Sequence, residues 1–186
     1  MTGKLKWRFD ASTFKLLGRG LITDRITAIY ELVKNSYDAN ATQVTVEFHE
    51  VKHLQETSEI RIRDNGLGMN LSDITDKWLV IGTPSKRNIL FSPEPFNRRY
   101  IGEKGVGRFA TDKLGAHLTI KTKQKADDAT LEVTINWKAY DQLNLSSPVL
   151  FTDLENDYQY LPNDTTFPEG QGTEFWIRLL HEPWDK

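Results

Sequence analysis

Residues 22–39 read ITDRITAIYELVKNSYDA. Ile22, Ile26, Ile29, Val33 and Tyr37 recur at three- and four-residue steps, which predicts a helix with these side chains on its buried face. Thr23 or Asp24 can cap its start. Glu31, Asn35 and Asp38 stand at i, i+4 and i+7, within about 40° of Glu31 at 100° per residue. They lie roughly 140° from the apolar set anchored on Ile26. The helix therefore aligns a carboxylate, an amide and a second carboxylate opposite its apolar stripe. Such a face is either simply solvated or a metal-and-water site. An amide oxygen suits a hard cation such as Mg²⁺, and a nearby Glu can take a proton from water.

Strands flank this helix on the C-terminal side. Val44, Val46 and Phe48 alternate with polar residues and predict a strand over 42–50. Ile60 to Arg63 predicts a second, running into the turn Asp64-Asn65-Gly66-Leu67-Gly68. Leu71, Ile74, Trp78 and Leu79 predict a short helix over 71–80. Residues 82–106 have Gly and Pro throughout and no period, as in a functional lid or a disordered segment. A helix is expected from Gly107 to Gly115. Three alternating stretches follow: Leu118/Ile120; Leu131/Val133/Ile135/Trp137; and Phe175/Ile177/Leu179. Residues 139–170 read as an extended surface connection. Before the long helix, Lys4–Phe9 alternates like a short strand, and Phe14, Leu16 and Leu17 suit a short helix ending near Gly18 and Gly20. Helices mixed with strands, and hairpins late, favour an α+β fold, a two-layer sandwich with a mainly antiparallel sheet.

Composition narrows the function classes. The chain has 186 residues, 24 Lys+Arg, 26 Asp+Glu, a formal charge of −2 and no cysteine. Disulfides, thiolate metal sites and cysteine nucleophiles are excluded. With 38% hydrophobic and 27% charged residues the composition is that of an ordinary globular domain. No apolar run approaches the roughly 20 residues of a membrane span, and the N-terminus lacks a signal-peptide core. A single soluble, cytoplasmic domain over 1–186 is expected, with 1–20 as an arm. The balance of charge argues against nucleic acid as a direct partner. Charge is uneven, however. Lys86, Arg87, Arg98, Arg99, Lys104 and Arg108 stand against only Glu94 and Glu103 between Gly82 and Arg108. This is a solvated lid or a loop that complements a polyphosphate.

Two glycine motifs carry the remaining chemistry. In Asp64-x-Gly66-x-Gly68 the glycines allow close backbone approach to a flat ligand. The carboxylate can accept from an exocyclic amine such as adenine presents. Gly102-Glu103-Lys104-Gly105-Val106-Gly107 opens a helix, where backbone N–H groups favour an anion. No Gly-Lys-Ser/Thr closes it and no strand precedes it, so it is neither a Walker A loop nor a dinucleotide fingerprint. Gly172-Thr173 opens the last strand.

Taken in order, these pieces resemble the GHKL ATPase superfamily of gyrases, heat-shock chaperones, histidine kinases and MutL proteins. Glu31-x-x-x-Asn35-x-x-Asp38-Ala39 looks like its N box. Asp64 to Met69 looks like the first glycine box, Gly102 to Gly107 like the second, and Gly172-Thr173 like the closing Gly-Thr. Ile81 to Lys86 is similar to a segment of the chaperone and MORC branches. The resemblance implies the Bergerat fold, with Mg-ATP held between helices and sheet under a lid at 82–106. It implies Glu31 as general base and Asn35 as the Mg²⁺ ligand. Asp64 would bind the adenine amine, with Thr173 acting through water. Asp38, Ala39, Gly66, Gly68 and Met69 would line the base and sugar pocket. Gly102, Gly105, Val106 and Gly107 would wrap the phosphates, with Lys86 and Lys104 as further phosphate contacts.

Within the superfamily the expected activity is ATP hydrolysis that closes the lid and drives nucleotide-dependent homodimerisation of a larger machine. The alternative is the catalytic domain of a histidine kinase. A kinase needs an acceptor histidine on a helix, and His49, His53, His117 and His181 fall on strands, connections or the C-terminal end. The hydrolysing branches carry a further domain that supplies a lysine to the terminal phosphate. The chain is therefore expected to be the N-terminal part of a longer protein, turning over slowly by itself.

Overall fold

The computed structural model describes residues 9–11, 13, 20–81, 91–102, 107–141 and 149–185. The expected N-terminal strand and short helix, most of the lid, and Lys86, Lys104, Gly105 and Val106 lie outside these residues.

Among the described residues six strands form one sheet: β1 (Val44–His49), β2 (Glu59–Asp64), β3 (Gly115–Lys123), β4 (Thr130–Asn136), β5 (Asp157–Leu161) and β6 (Gly172–Leu180). Their order is β1-β2-β6-β3-β4-β5, and every pairing is antiparallel. Directly opposed residues share a face, so the register aligns side chains in rows across the sheet. One row is Ile60, Ile177, Leu118 and Ile135; the next is Ile62, Phe175, Ile120 and Val133. All eight are buried in one core. The same face continues into a third row of Asp64, Thr173, Thr122 and Leu131. Here the buried positions turn from aliphatic to polar. Residues one step away, such as Arg61, Trp176 and Thr119, form the opposite face. There Trp176 is stacked between the guanidinium groups of Arg61 and Arg178, at 4.5 and 4.3 Å.

Helix α1 (Arg25–Asp38) and α3 (Ala110–Leu114) cover the aliphatic rows, contributing Ala28, Leu32, Ala110 and Leu114 to the core. The two-layer α+β expectation is met. The expected apolar stripe of α1 is not. Ile26 and Tyr30 are 61% and 68% exposed, Tyr37 is also exposed, and the buried positions are Ala28, Leu32, Ser36 and Asp38. Ile22 is buried ahead of the helix. The helix packs mainly on α3 and the turn before it, with Ile29 at the edge of the core, so Ile26, Tyr30 and Tyr37 mark another face. Asp38 consequently lies on the buried face, with the partly buried Glu31 and Asn35 beside it and not opposite it.

Asp24 caps α1 by accepting from Thr27 N at 2.8 Å. Its far end is a Schellman turn: Ala41 N donates to Ser36 O at 3.0 Å and Asn40 N to Tyr37 O at 3.1 Å. Asn40 takes the left-handed φ of +63° that this turn requires. The expected helix at 71–80 is one α-turn, α2 (Leu71–Asp73), opened by an Asn70/Asp73 capping box and widened into a π-helical turn over Ile74–Trp78.

Two further differences concern the late segment. Trp137 keeps its inward phase and is buried, but it begins the short helix α4 (Trp137–Asp141) because the ladder with β3 ends at Asn136. The supposed connection 139–170 contains β5, whose five residues pair with β4.

Candidate functional site

The polar row of the sheet is the floor of the site. Asp64 is 6% exposed. Its Oδ2 accepts from Ser36 Oγ at 2.7 Å and its Oδ1 from Gly66 N at 2.8 Å. Burial pushes its pKa above the usual 3.8, and the hydrogen bonds from Ser36, Gly66 and the Thr173 backbone oppose that rise. Each carboxylate oxygen has two lone pairs, so the group can accept one more donor, such as an amine. Beside it, buried Thr122 Oγ1 accepts from Met69 N at 2.7 Å and lies 3.2 Å from Thr173 Oγ1. Asp64, Thr173 and Thr122 are thus adjacent cross-strand positions, with Met69 held on the third.

The first glycine turn is locked against this floor. Leu67 N donates to Ala39 O at 2.8 Å, joining the turn to the end of α1. Gly68 has φ +67°, and a Cβ there would lie 2.0 Å from Lys123 O. Only glycine meets both demands. Ala39, Gly66, Gly68 and Met69 therefore gather in one place.

The second group lies on α1. Glu31 and Asn35 sit one turn apart, and a Cβ added at Gly107 would lie 3.4 Å from Glu31 Oε2 and 3.3 Å from Asn35 Nδ2. The end of the second glycine motif thus comes against the two polar side chains of the helix. Glu31 Oε1 also accepts from Lys34 Nζ at 2.7 Å. Asn35 is partly exposed, and no described residue hydrogen-bonds its side-chain amide.

Asp38 is buried, and accepts from Ile101 N at 3.0 Å and Gly102 N at 3.1 Å. It thereby ties the start of the second glycine motif to the end of α1. Gly102, expected to offer its N–H to phosphate, donates that N–H to Asp38 here.

Two cations of the expected polyphosphate surplus have other partners. Arg98 donates to Ala41 O at 2.6 Å and stacks on Tyr37 and Phe96, at the negative end of the α1 dipole. Arg108 donates to Lys77 O at 2.7 Å, to Val80 O at 2.5 Å and to Trp78 O. Burial lowers its pKa below the usual guanidinium range, to about 10, which leaves it charged at neutral pH.

Sequence reasoning missed Ser36 and Thr122, which hold Asp64 and Met69. Both stand beside motif residues or opposite them in the register, but serine and threonine are too common for composition to single them out. His49 is in β1 and His117 in β3, His53 joins β1 to β2, and His181 follows β6, so none lies on a helix.

The chain was compared with known proteins. It is 32% identical over 103 residues to the putative type II restriction enzyme HgiDII of Herpetosiphon aurantiacus, covering 55% of this chain and 15% of that protein. It is 28% identical over 147 residues to the chaperone protein HtpG of Rickettsia akari, covering 69% of this chain and 24% of that one. The HtpG of Rickettsia rickettsii is 26% identical over 142 residues, with 66% and 23% covered. The chain thus spans less than a quarter of the length of these curated relatives. A family model matches residues 23–160, from the cap of α1 to Tyr160 in β5. The polar helix face, the glycine turn and the buried carboxylate all fall inside that span, and the chain belongs to the family of histidine kinase-, DNA gyrase B- and HSP90-like ATPases.

Proposed function

We propose that the chain binds Mg-ATP between α1 and the polar row of the sheet and hydrolyses it. The observation that carries this reading is the convergence of Glu31, Asn35 and Gly107 at one end and Asp64, Thr173 and Met69 at the other. A buried carboxylate with spare acceptor capacity suits the adenine amine, with Thr173 assisting through water. Asp38, Ala39, Gly66 and Gly68 shape the base and sugar end. Gly102, Gly105, Val106 and Gly107, with Lys86 and Lys104, take the phosphates. In this reading the Gly102 N–H exchanges Asp38 for phosphate as the lid closes.

Among the described residues no group of three or more His, Cys, Asp or Glu is placed to hold a metal. A cation here would therefore rest on the Asn35 amide oxygen and phosphate oxygens. That donor set suits Mg²⁺, which keeps several waters and binds through few protein ligands. When bound, the ion neutralises charge on the transferred phosphate. Glu31 takes the proton of the attacking water. Lys34, paired with Glu31, keeps a cation beside that carboxylate.

Hydrolysis, more than phosphotransfer to a histidine of this chain, is supported by the absence of any histidine on a helix. The reading extends to lid closure at 82–106 and nucleotide-dependent pairing of two copies. A downstream domain completes the site with a lysine, in keeping with the much greater length of the relatives. No described helix is long and apolar enough to cross a membrane, and a cytoplasmic location suits an ATP-driven machine.

The test is phosphate release from Mg-ATP by wild type and Glu31→Ala. A general base is worth about 10²–10⁴ in rate, so the variant should bind ATP and lose turnover by about that factor. Equal turnover in both removes Glu31 from the role.

A further inference from the structure

No motif residue falls within residues 139–170, which contain β5. It is the end strand of the sheet, and no described strand pairs with its outer side. Unpaired edge groups are a template for another chain, and most proteins guard them. Here Tyr158 and Tyr160 are 56% and 53% exposed on one face of the strand, their rings in edge contact at 6.2 Å.

Beside Tyr160 lies an open hollow of about 220 Å³, lined by Leu71, Ala129, Leu131 and Tyr160 together with the polar Asn70, Asp127 and Asp128. Leu131 and Tyr160 are direct cross-strand partners. The hollow is thus the uncovered end of the row that begins at Asp64.

Charge decides what fits. Between Lys138 and Arg178 there is no Lys or Arg, while Asp153, Glu155 and Asp157 crowd the approach to β5 and the strand itself. Two copies that approach through this acidic flank repel one another by their like charge. A second copy of the same edge is therefore disfavoured, and an extended segment of opposite charge is favoured.

We infer that β5 is a docking edge for an extended, basic segment of a partner protein, added as a seventh strand. Main-chain hydrogen bonds supply the pairing, an apolar side chain enters the hollow, and basic side chains face Asp127, Asp128 and Asp157.

The experiment uses the isotope-labelled chain without nucleotide and a seven-residue peptide of alternating lysine and valine. The expected result is saturable amide shifts confined to β5 and the 127–131 segment, weakening as salt is added. The same peptide with alternate backbone amides methylated cannot form a ladder and should bind at least tenfold more weakly. Tyr160→Ser combined with Asp127→Asn and Asp128→Asn should weaken binding by a similar factor. The methylated peptide leaves the protein untouched, so that arm does not depend on the folding of a variant. Equal binding of the methylated peptide, or of one with glutamate in place of lysine, would overturn the inference. So would no binding at all. Concentration-dependent dimerisation that protects β5 amides would assign the edge to a second copy instead.

Discussion

Replacing Ser36 by alanine removes one hydroxyl from the interior of the site. Ser36 is buried, and its Oγ donates to Asp64 Oδ2 at 2.7 Å. A hydrogen bond to a charged group contributes about 1.5–3 kcal/mol, and its loss leaves a desolvated carboxylate short of a donor. Ser36→Ala should lower stability at neutral pH by about that amount, or roughly 3–12 °C in melting temperature for a domain of this size. The same bond favours the ionised carboxylate, so its removal should push the already raised Asp64 pKa further up. The penalty should therefore shrink in acid, where Asp64 is neutral and the bond is an ordinary one of about 0.5–1.5 kcal/mol. Urea unfolding at two pH values, for wild type, Ser36→Ala, Asp64→Asn and the double variant, separates these effects. In the Asp64→Asn background the serine should matter by about 1 kcal/mol or less. A Ser36→Ala protein as stable as wild type, or a penalty that is the same in acid and in the Asp64→Asn background, would refute the coupling.

Four more outcomes follow from the same geometry. Asp64 holds its proton to a higher pH folded than unfolded, so its contribution to stability falls as pH rises from 3.8 through the raised value. Mg-ATP affinity should run the other way, weakening as acid protonates Asp64 from a pH above the ordinary carboxylate range, and calorimetry across pH measures this. Arg108→Met leaves the carbonyls of Lys77, Trp78 and Val80 without their donor. It should cost about 1–3 kcal/mol in urea unfolding and speed hydrogen exchange over 74–80. Gly68→Ala combines a left-handed φ with a Cβ 2.0 Å from Lys123 O. It should cost about 2–4 kcal/mol in the same assay, and an unaffected protein would show that the turn relaxes freely.

Most of the fold was legible because side-chain period reports directly on burial. Val44 to Phe48, Ile60 to Ile62, Leu131 to Ile135 and Phe175 to Ile177 alternate in the sequence and lie in strands of the sheet. The strand β5 escaped notice because both its faces are largely exposed and Pro, Asn and Asp surround it. The face of α1 was misjudged for a related reason. Periodicity locates a run of bulky apolar residues, whereas the buried positions are Ala28, Leu32, Ser36 and Asp38. Motif order grouped Glu31 and Asn35 with Gly107, and the chain brings these three side by side. The residues that support the site were not legible in this way. Ser36 and Thr122 act through hydrogen bonds across 28 and 51 residues of chain to Asp64 and Thr173, and Arg98 and Arg108 are bound to carbonyls that no charge count can anticipate.

In the proposed reading Asp64 anchors the nucleotide. Calorimetric titration of wild type and Asp64→Asn with Mg-ATP tests this most directly, with circular dichroism confirming that both are folded. The expected result is saturable one-to-one binding by wild type and at least a tenfold loss in Asp64→Asn. A folded wild-type chain that takes up no Mg-ATP, or an Asp64→Asn variant that binds it equally well, would contradict the role of Asp64.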